Sequence, residues 1–271
     1  MAEPQRQERP ESDRSARPKI AIRGLRKSFG PKVVLDGVDL EIAQGESMVI
    51  IGASGTGKSV LLKHIVGLLR PDAGSVEVDG VAVAGLDNRS LTEFRRKFGM
   101  SFQEGALFDS MSVAQNVAFP LQRLTKKSKD EIRQRVEECL SLVQLPGIGD
   151  RLPSQLSGGM RRRVGFARAI AQQPEILLFD EPTTGLDPVT TAQINDVIVD
   201  INEGLQATTV TITHDMESAY RIGDRIAMLD RGRIIAVAPP KEFRELPDPR
   251  VQQFLHGRAQ GPLTEEARES V

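Results

Sequence analysis

Apolar positions recur along this chain with two different periods. Lys19 to Leu25 alternates apolar and polar residues, and Val33 to Ile42 does so again around a turn. Both patterns predict half-buried strands. Glu46 to Ile51 ends in a β-branched apolar run, as a strand buried on both faces does. A glycine-rich loop follows. Leu62, Ile65 and Leu69 then mark an apolar helix, which Pro71-Asp72-Ala73-Gly74 is expected to stop. Ser75 to Val83, with Asp79-Gly80 inside it, predicts a hairpin.

From about Glu104 to Gln155 the character changes. Ile132, Val136, Cys139, Leu140 and Val143 recur at helical spacing, with Lys, Glu and Arg between them. A mainly helical insertion is expected, placed at about 104–165. From Glu175 strands and helices alternate again: a strand to Phe179, a helix after Pro188, a strand from Thr208 to Thr213, a short helix and further strands around a turn at Asp230-Arg231-Gly232. The chain after Pro239 is predicted helical and expected to fray from about Gly261. Strands alternating with helices predict an α/β fold with a mostly parallel sheet covered on both faces. The expected division is a disordered tail over 1–18, a body over 19–240, and a helical extension with a tail over 241–271.

The chain has 271 residues, 39% of them hydrophobic, which suffices for one core with an inserted subdomain. A net charge of −1 gives no argument for nucleic acid, so none is expected as a partner. Cys139 is the one cysteine, which excludes an intrachain disulfide and fits a reducing cytosol. Its place in an apolar helical stripe predicts a small buried hydrophobe. No apolar run approaches the ~20 residues of a membrane-spanning helix. A membrane role would therefore come through a partner.

Gly52-Ala53-Ser54-Gly55-Thr56-Gly57-Lys58-Ser59 fits G-x-x-x-x-G-K-[ST], after a predicted strand and at the start of a predicted helix. Such a loop aims successive backbone N–H groups at one anion, and the helix N-terminus adds its positive end. Lys58 can bridge the β- and γ-phosphates, and Ser59 can ligate Mg²⁺. Ile176 to Phe179 is an apolar strand that ends in Asp180-Glu181. Ligands gather at the carboxyl ends of strands in such sheets. Asp180 can approach Mg²⁺ there, and Glu181 can polarise an attacking water. Alone, an acidic strand end is weak; beside the phosphate loop it is strong.

Three further positions stay open on spacing alone. His214 follows the apolar strand Val210 to Thr213, where a lone histidine is more often structural. Gln103 follows Phe98 to Phe102, and can touch Mg²⁺ or water, or cap a turn. Leu156-Ser157-Gly158-Gly159-Met160 precedes a helix, with Ser157 as N-cap and two glycines baring N–H groups. That is either a hinge or a second anion site, one that closes over a nucleotide held by another copy.

The order of these motifs resembles the nucleotide-binding domains of ABC transporters, over about Lys19 to Pro240: Gly52–Ser59, Gln103, Leu156–Met160, Asp180-Glu181, Gly185-Leu186-Asp187, His214. The resemblance implies a P-loop ATPase core with an antiparallel β subdomain and an inserted helical subdomain. It also implies ATP and Mg²⁺ as cofactors. By resemblance, Phe29 stacks on adenine, and Val60 joins the phosphate loop in nucleotide binding. Gln103 contacts Mg²⁺ and reports to the membrane subunit. Ser157, Gly158 and Gly159 contact ATP bound in the opposite protomer, and Asp187 crosses the dimer interface. His214 contacts the γ-phosphate, and Glu181 is the catalytic carboxylate. The signature usually ends in glutamine; here it ends in Met160.

A narrower likeness is to the ATPases of bacterial MCE-type, Mla-like lipid transporters. It rests on Gly52 to Lys63, Phe102 to Phe108, the LSGGM ending and the tail Asp248 to Gly257. It implies a homodimer at the cytoplasmic face of the inner membrane. An integral permease, an MCE-domain protein and a small regulatory subunit would be its partners. Val251, Phe254 and Leu255 form an apolar stripe that either docks a partner or packs on the chain's own core. Rival readings are an importer for a polar solute and a soluble ABC protein of translation or chromosome maintenance. The single phosphate loop and the short insertion argue against the last.

Overall fold

A computed structural model describes residues 17–101 and 105–265. The predicted tail therefore lies almost wholly outside the described residues. Two sheets organise the rest. β1 (Ile20–Phe29), β2 (Lys32–Ile42), β4 (Ala73–Val78) and β5 (Val81–Ala82) form an antiparallel sheet in the order β2-β1-β4-β5. The second sheet runs β10-β9-β3-β8-β7-β6. It comprises β10 (Arg233–Ala238), β9 (Arg225–Asp230), β3 (Ser47–Ile51), β8 (Thr208–Ile212), β7 (Ile176–Asp180) and β6 (Phe98–Ser101). The β9–β10 pair is antiparallel and every other pair in this sheet is parallel.

Side chains on a strand alternate between faces, and this alternation divides the core in two. Met48, Ile50, Ile176, Leu178, Val210 and Ile212 face α1 (Lys58–Ile65) and the antiparallel sheet. Val49, Ile51, Leu177 and Phe179 face α5 (Gly158–Ile170) and α6 (Pro188–Leu205). Burial on both faces explains why these strands read as unbroken apolar runs. Lys19, 7% exposed, ties the layers together by pairing with Asp79 beyond β4 and with Glu175 before β7.

Between β6 and β7 lie α3 (Val113–Leu124) and α4 (Lys129–Leu142). Capping boxes start both: Ser112 with Gln115, and Ser128 with Glu131. The predicted stripe of Val136, Cys139, Leu140 and Val143 is buried, with Ile132 packed at its edge. α2 (Asn88–Arg95) and α7 (Met216–Ile222) complete the body.

One expectation is corrected. The first apolar helix does not run to Leu69 or stop at Pro71. It ends at Ile65, because Gly67 takes a left-handed φ of 67°. The Leu68 and Gly67 N–H groups then donate to the Lys63 and His64 carbonyls, which closes a Schellman motif. At the other end the described chain continues to Glu265, and the rest of the expected tail lies outside the described residues. After α8 (Pro240–Glu245) and α9 (Pro249–Leu255) the chain folds back into α10 (Pro262–Glu265). The buried Gln253 holds the return, accepting from Leu263 N–H and donating to the Arg258 carbonyl. The Val251–Phe254–Leu255 stripe packs on the chain's own core, with Val251 fully buried. Among the described residues, no helix is long and apolar enough to cross a membrane.

Candidate active site

β3, β7 and β8 are parallel, so their carboxyl ends meet on one edge. The phosphate loop leaves β3 there. Gly52 has a φ of 151°, and a Cβ on it would lie 2.2 Å from the Leu229 carbonyl oxygen of β9. Only glycine lets the loop leave the sheet at that point. The loop then enters α1 at Gly57, where no side chain caps the helix. Ser157 and Asp187 cap α5 and α6, as Ser112 and Ser128 cap α3 and α4. The uncapped first turn of α1, Lys58 to Val60, leaves N–H donors for an anion.

Lys58 is 7% exposed. Its Nζ donates to the Gly52 and Ala53 carbonyls at 2.7 and 3.0 Å. Burial lowers its pKa from the ordinary lysine range, and the Glu181 and Asp180 carboxylates oppose that. Ser59 Oγ lies 3.2 Å from Asp180 Oδ1, which accepts its hydrogen bond. Burial raises the pKa of Asp180. Thr56 closes the loop, donating from Oγ1 to the Ala53 carbonyl, while Ala53, Ser54 and Gly55 stay exposed.

Glu181 takes a left-handed φ of 51°, which is costly for a residue with a side chain. Its Oε1 lies 4.0 Å from Lys58 Nζ. Its Oε2 accepts from Thr184 Oγ1 at 2.8 Å and lies 2.8 Å from Nδ1 of His214. An ionised carboxylate only accepts, so the network assigns the Nδ1 proton to His214. Lys58, Ser59, Asp180, Glu181 and His214 thus form one cluster. Phe29 ends β1 with its ring 47% exposed and Lys27 Nζ 5.6 Å from its centroid. Gln103 lies outside the described residues.

The signature residues form a second group. Ser157 Oγ accepts from Met160 N–H at the start of α5. A Cβ on Gly159 would lie 2.6 Å from the Thr190 methyl, and one on Gly158 would meet Leu186. Asp187 accepts from Val189 N–H, Thr190 N–H and Thr190 Oγ1, and the Thr190 hydroxyl foremost lowers its pKa. Among the described residues, no hydrogen bond joins Ser157, Gly158 or Gly159 to Gly52–Ser59. The groups are linked instead by Arg162 of α5, which is 8% exposed and donates to the Pro182 and Thr184 carbonyls.

Sequence reasoning missed Arg162 and Thr184. The run Arg161-Arg162-Arg163 looks like a solvated face. Yet Arg162 stands four residues before the buried Phe166, on the inner side of the helix. Thr184 carried no comparable signal.

A family model described as "ABC transporter" matches residues 35–184. The chain is 45% identical over 254 residues to a "probable ribonucleotide transport ATP-binding protein mkl" of Mycobacterium leprae, spanning 93% of this chain and 73% of that protein. It is 40% identical over 244 residues to the "intermembrane phospholipid transport system ATP-binding protein MlaF" of Haemophilus influenzae, spanning 90% and 92%. It is 49% identical over 219 residues to a methionine import ATP-binding protein of Carboxydothermus hydrogenoformans, spanning 80% and 65%. Among solved structures it resembles the dimeric post-hydrolysis state of the ATP-binding cassette MJ0796 bound to ADP and Pi. That match has 35% identity and a TM-score of 0.74, and covers 82% of this chain and 98% of that one.

Proposed function

This chain belongs to the ABC transporter family, and from that premise we propose that its ATP hydrolysis drives a separate membrane permease that moves lipid. That the chain is an ATP-hydrolysing, ATP-binding subunit follows from the family. The cargo, the partners and the role of each residue are the proposal.

The phosphate loop, the bare first turn of α1 and Lys58 hold the ATP phosphates. Phe29 offers its exposed ring to the base, which gives stacking without base readout. Glu181 takes the water, with its orientation fixed by Thr184 and His214. General-base help of this kind contributes about 10²–10⁴ in rate. Ser59 and Asp180, adjacent oxygen donors with one carboxylate, fit Mg²⁺, a hard cation that takes such ligands. Mg²⁺ held there, with Gln103 as a further ligand, would neutralise charge on the phosphates.

The signature supports a head-to-tail homodimer with two composite sites. Ser157, Gly158 and Gly159 start α5 with N–H donors, and no hydrogen bond ties them to the loop of their own chain. The MJ0796 cassette is itself dimeric. Asp187 would lie at the same interface.

The lipid reading is carried by the reach of the likeness. The match to MlaF covers 90% of this chain and 92% of that protein, against 93% and 73% for the mkl protein and 80% and 65% for the methionine importer, so it is MlaF whose whole length this chain comes nearest to matching among the three. Acyl chains lose about 0.8 kcal/mol per CH₂ exposed to water, so moving them needs a shielded path and an energy source. This chain supplies the energy at the cytoplasmic face of the inner membrane. An integral permease, an MCE-domain protein and a small regulatory subunit supply the rest. Purification from membranes, followed by identification of co-purifying chains, tests the assembly. Deleting the gene and measuring lipid exchange tests the cargo: intact lipid handling with defective uptake of a polar solute would overturn it.

A further inference from the structure

Behind His214 lies a buried group of polar side chains that the reading above does not use. Ser218, on α7, is fully buried. Its Oγ donates to Asp215 Oδ2 at 2.6 Å and accepts from Asn195 Nδ2 of α6 at 2.9 Å. Thr183 Oγ1 lies 3.5 Å from the same oxygen. A hydroxyl has one proton and two lone pairs. The proton is committed to Asp215 and one lone pair to Asn195, so the Thr183 hydroxyl is the donor across the longer gap. Asn195 and Thr183 are 4% and 5% exposed, and Asn195 Oδ1 has no partner among the described residues.

The ends of this chain of hydrogen bonds are informative. Asp215 directly follows His214, and its other oxygen caps α7 through Glu217 N–H. Its own N–H donates to Thr213 Oγ1, so the turn around His214 is fixed on both sides. Thr183 stands two residues after Glu181, between the two carbonyls that Arg162 grips. The segment after Glu181 is thus held by α5 on one side and by α7 on the other. Buried polar networks of this kind specify one arrangement of the segments they join.

We propose that Ser218, oriented by Asn195, is a positioning residue for ATP hydrolysis: it holds the His214 turn in register with the Glu181–Thr184 segment. Ser218 is fully buried behind the turn, so its role is indirect. It acts by keeping His214 Nδ1 within hydrogen-bonding reach of Glu181 Oε2. The inference rests on the assignment of Glu181 and His214 above.

The test is steady-state ATPase kinetics on the full chain with Ser218→Ala, Asn195→Ala and the double variant, beside the isosteric Thr183→Val. Melting midpoints are measured in parallel, and turnover is read well below them. Small displacements of a catalytic constellation cost up to about 10² in rate. Ser218→Ala is expected to lower kcat about tenfold with KM for ATP unchanged within about twofold. Because both residues act through one hydroxyl, the double variant should lose no more than Ser218→Ala alone. A lower melting midpoint with unchanged kcat in Ser218→Ala overturns the proposal, as do losses that multiply in the double variant. If Ser218→Ala fails to fold, Thr183→Val decides: a fall in kcat at constant KM supports the proposal, and wild-type kcat sinks it. Glu181→Gln run alongside separates the failures. Full turnover in Glu181→Gln removes the underlying assignment. An inactive Glu181→Gln beside a fully active Ser218→Ala removes only the positioning role.

Discussion

Nδ1 of His214 stands 2.8 Å from Oε2 of Glu181, across the carboxyl ends of the neighbouring parallel strands β8 and β7. The left-handed φ of Glu181 turns its carboxylate over the sheet edge toward both His214 and Lys58. Strain of this kind costs about 1–3 kcal/mol and persists where the surroundings enforce it. Here Thr184, Arg162 and the Glu181 N–H bond to the Ile212 carbonyl enforce it.

Glu181→Gln should therefore separate binding from chemistry. The amide oxygen can still accept from His214 Nδ1, so the local shape survives. What goes is the carboxylate that orients and deprotonates water. Turnover should fall by roughly 10²–10⁴. Mg-ATP binding should persist, and gel filtration with Mg-ATP should show the chain trapped as a dimer. Loss of ATP binding would instead make Glu181 a structural residue.

Asp180 gives a pH-dependent prediction. Burial raises its folded-state pKa above the ordinary carboxylate value. The folded protein then holds that proton more tightly than the unfolded chain does. Stability falls as pH climbs from the ordinary carboxylate value through the raised one, and the penalty is complete above it. Asp180→Asn removes the ionisation and keeps an oxygen for Ser59. Without nucleotide, the variant should melt above wild type near pH 7.5, with the gain shrinking as pH falls through the raised carboxylate value toward the ordinary one. Its Mg²⁺-dependent turnover should be lost. A lower melting point at pH 7.5 would show that the carboxylate stabilises the resting fold.

The phosphate loop was legible in the sequence because its chemistry is local. A glycine that must pass a carbonyl at Gly52, and a lysine that folds back on its own loop, are set within a few residues. The acidic end of β7 was legible too, since a doubly buried strand announces where it stops. Arg162, Thr183 and Asn195 were not, because their partners lie 20 or more residues away in sequence, and Ser218 has only Asp215 nearby while Asn195 and Thr183 reach it from 23 and 35 residues off. Nothing in their own spacing distinguishes them from helix surface or turn. The end of α1 was misplaced for a related reason. Pro71 is the stronger breaker on paper, but Gly67 with its two reverse hydrogen bonds had already ended the helix. The C-terminal return depends on Gln253, a polar residue that looks exposed and is 4% so.

Cys139 should behave as a buried apolar residue. It lies on α4, fully buried in the core, and burial pushes its thiol up to about 11. At pH 8 the reactive thiolate is then only about one part in a thousand. A thiol reagent such as DTNB should leave the native protein unlabelled and label it fully in denaturant. Rapid labelling of the native chain would mean that the α3–α4 layer opens on that timescale.

The two groups of residues at the site make the strongest prediction, because in the proposed dimer it is a second copy that brings them together over one nucleotide. Ser157 is exposed at the start of α5, so Ser157→Arg can be accommodated without disturbing the core. Losing its cap to Met160 N–H costs about 1 kcal/mol, which the fold should tolerate. ATP binding to the single chain should remain, because the phosphate loop is untouched. Closure should fail, since bulk and positive charge now fill the position meant for the partner's nucleotide. Lys58→Ala should be silent for the opposite reason: the ammonium that meets the β- and γ-phosphates is gone. Mixing the two silent variants then distinguishes the architectures. In a composite dimer, one site of the mixed pair carries both lesions and the other carries neither. With free exchange about half the dimers are mixed, and each has one intact site of two, so about a quarter of wild-type turnover should return. If signature and phosphate loop worked within one chain, every site in the mixture would keep a lesion and the activity would stay at zero. Full activity of Ser157→Arg on its own would remove the signature from the mechanism altogether.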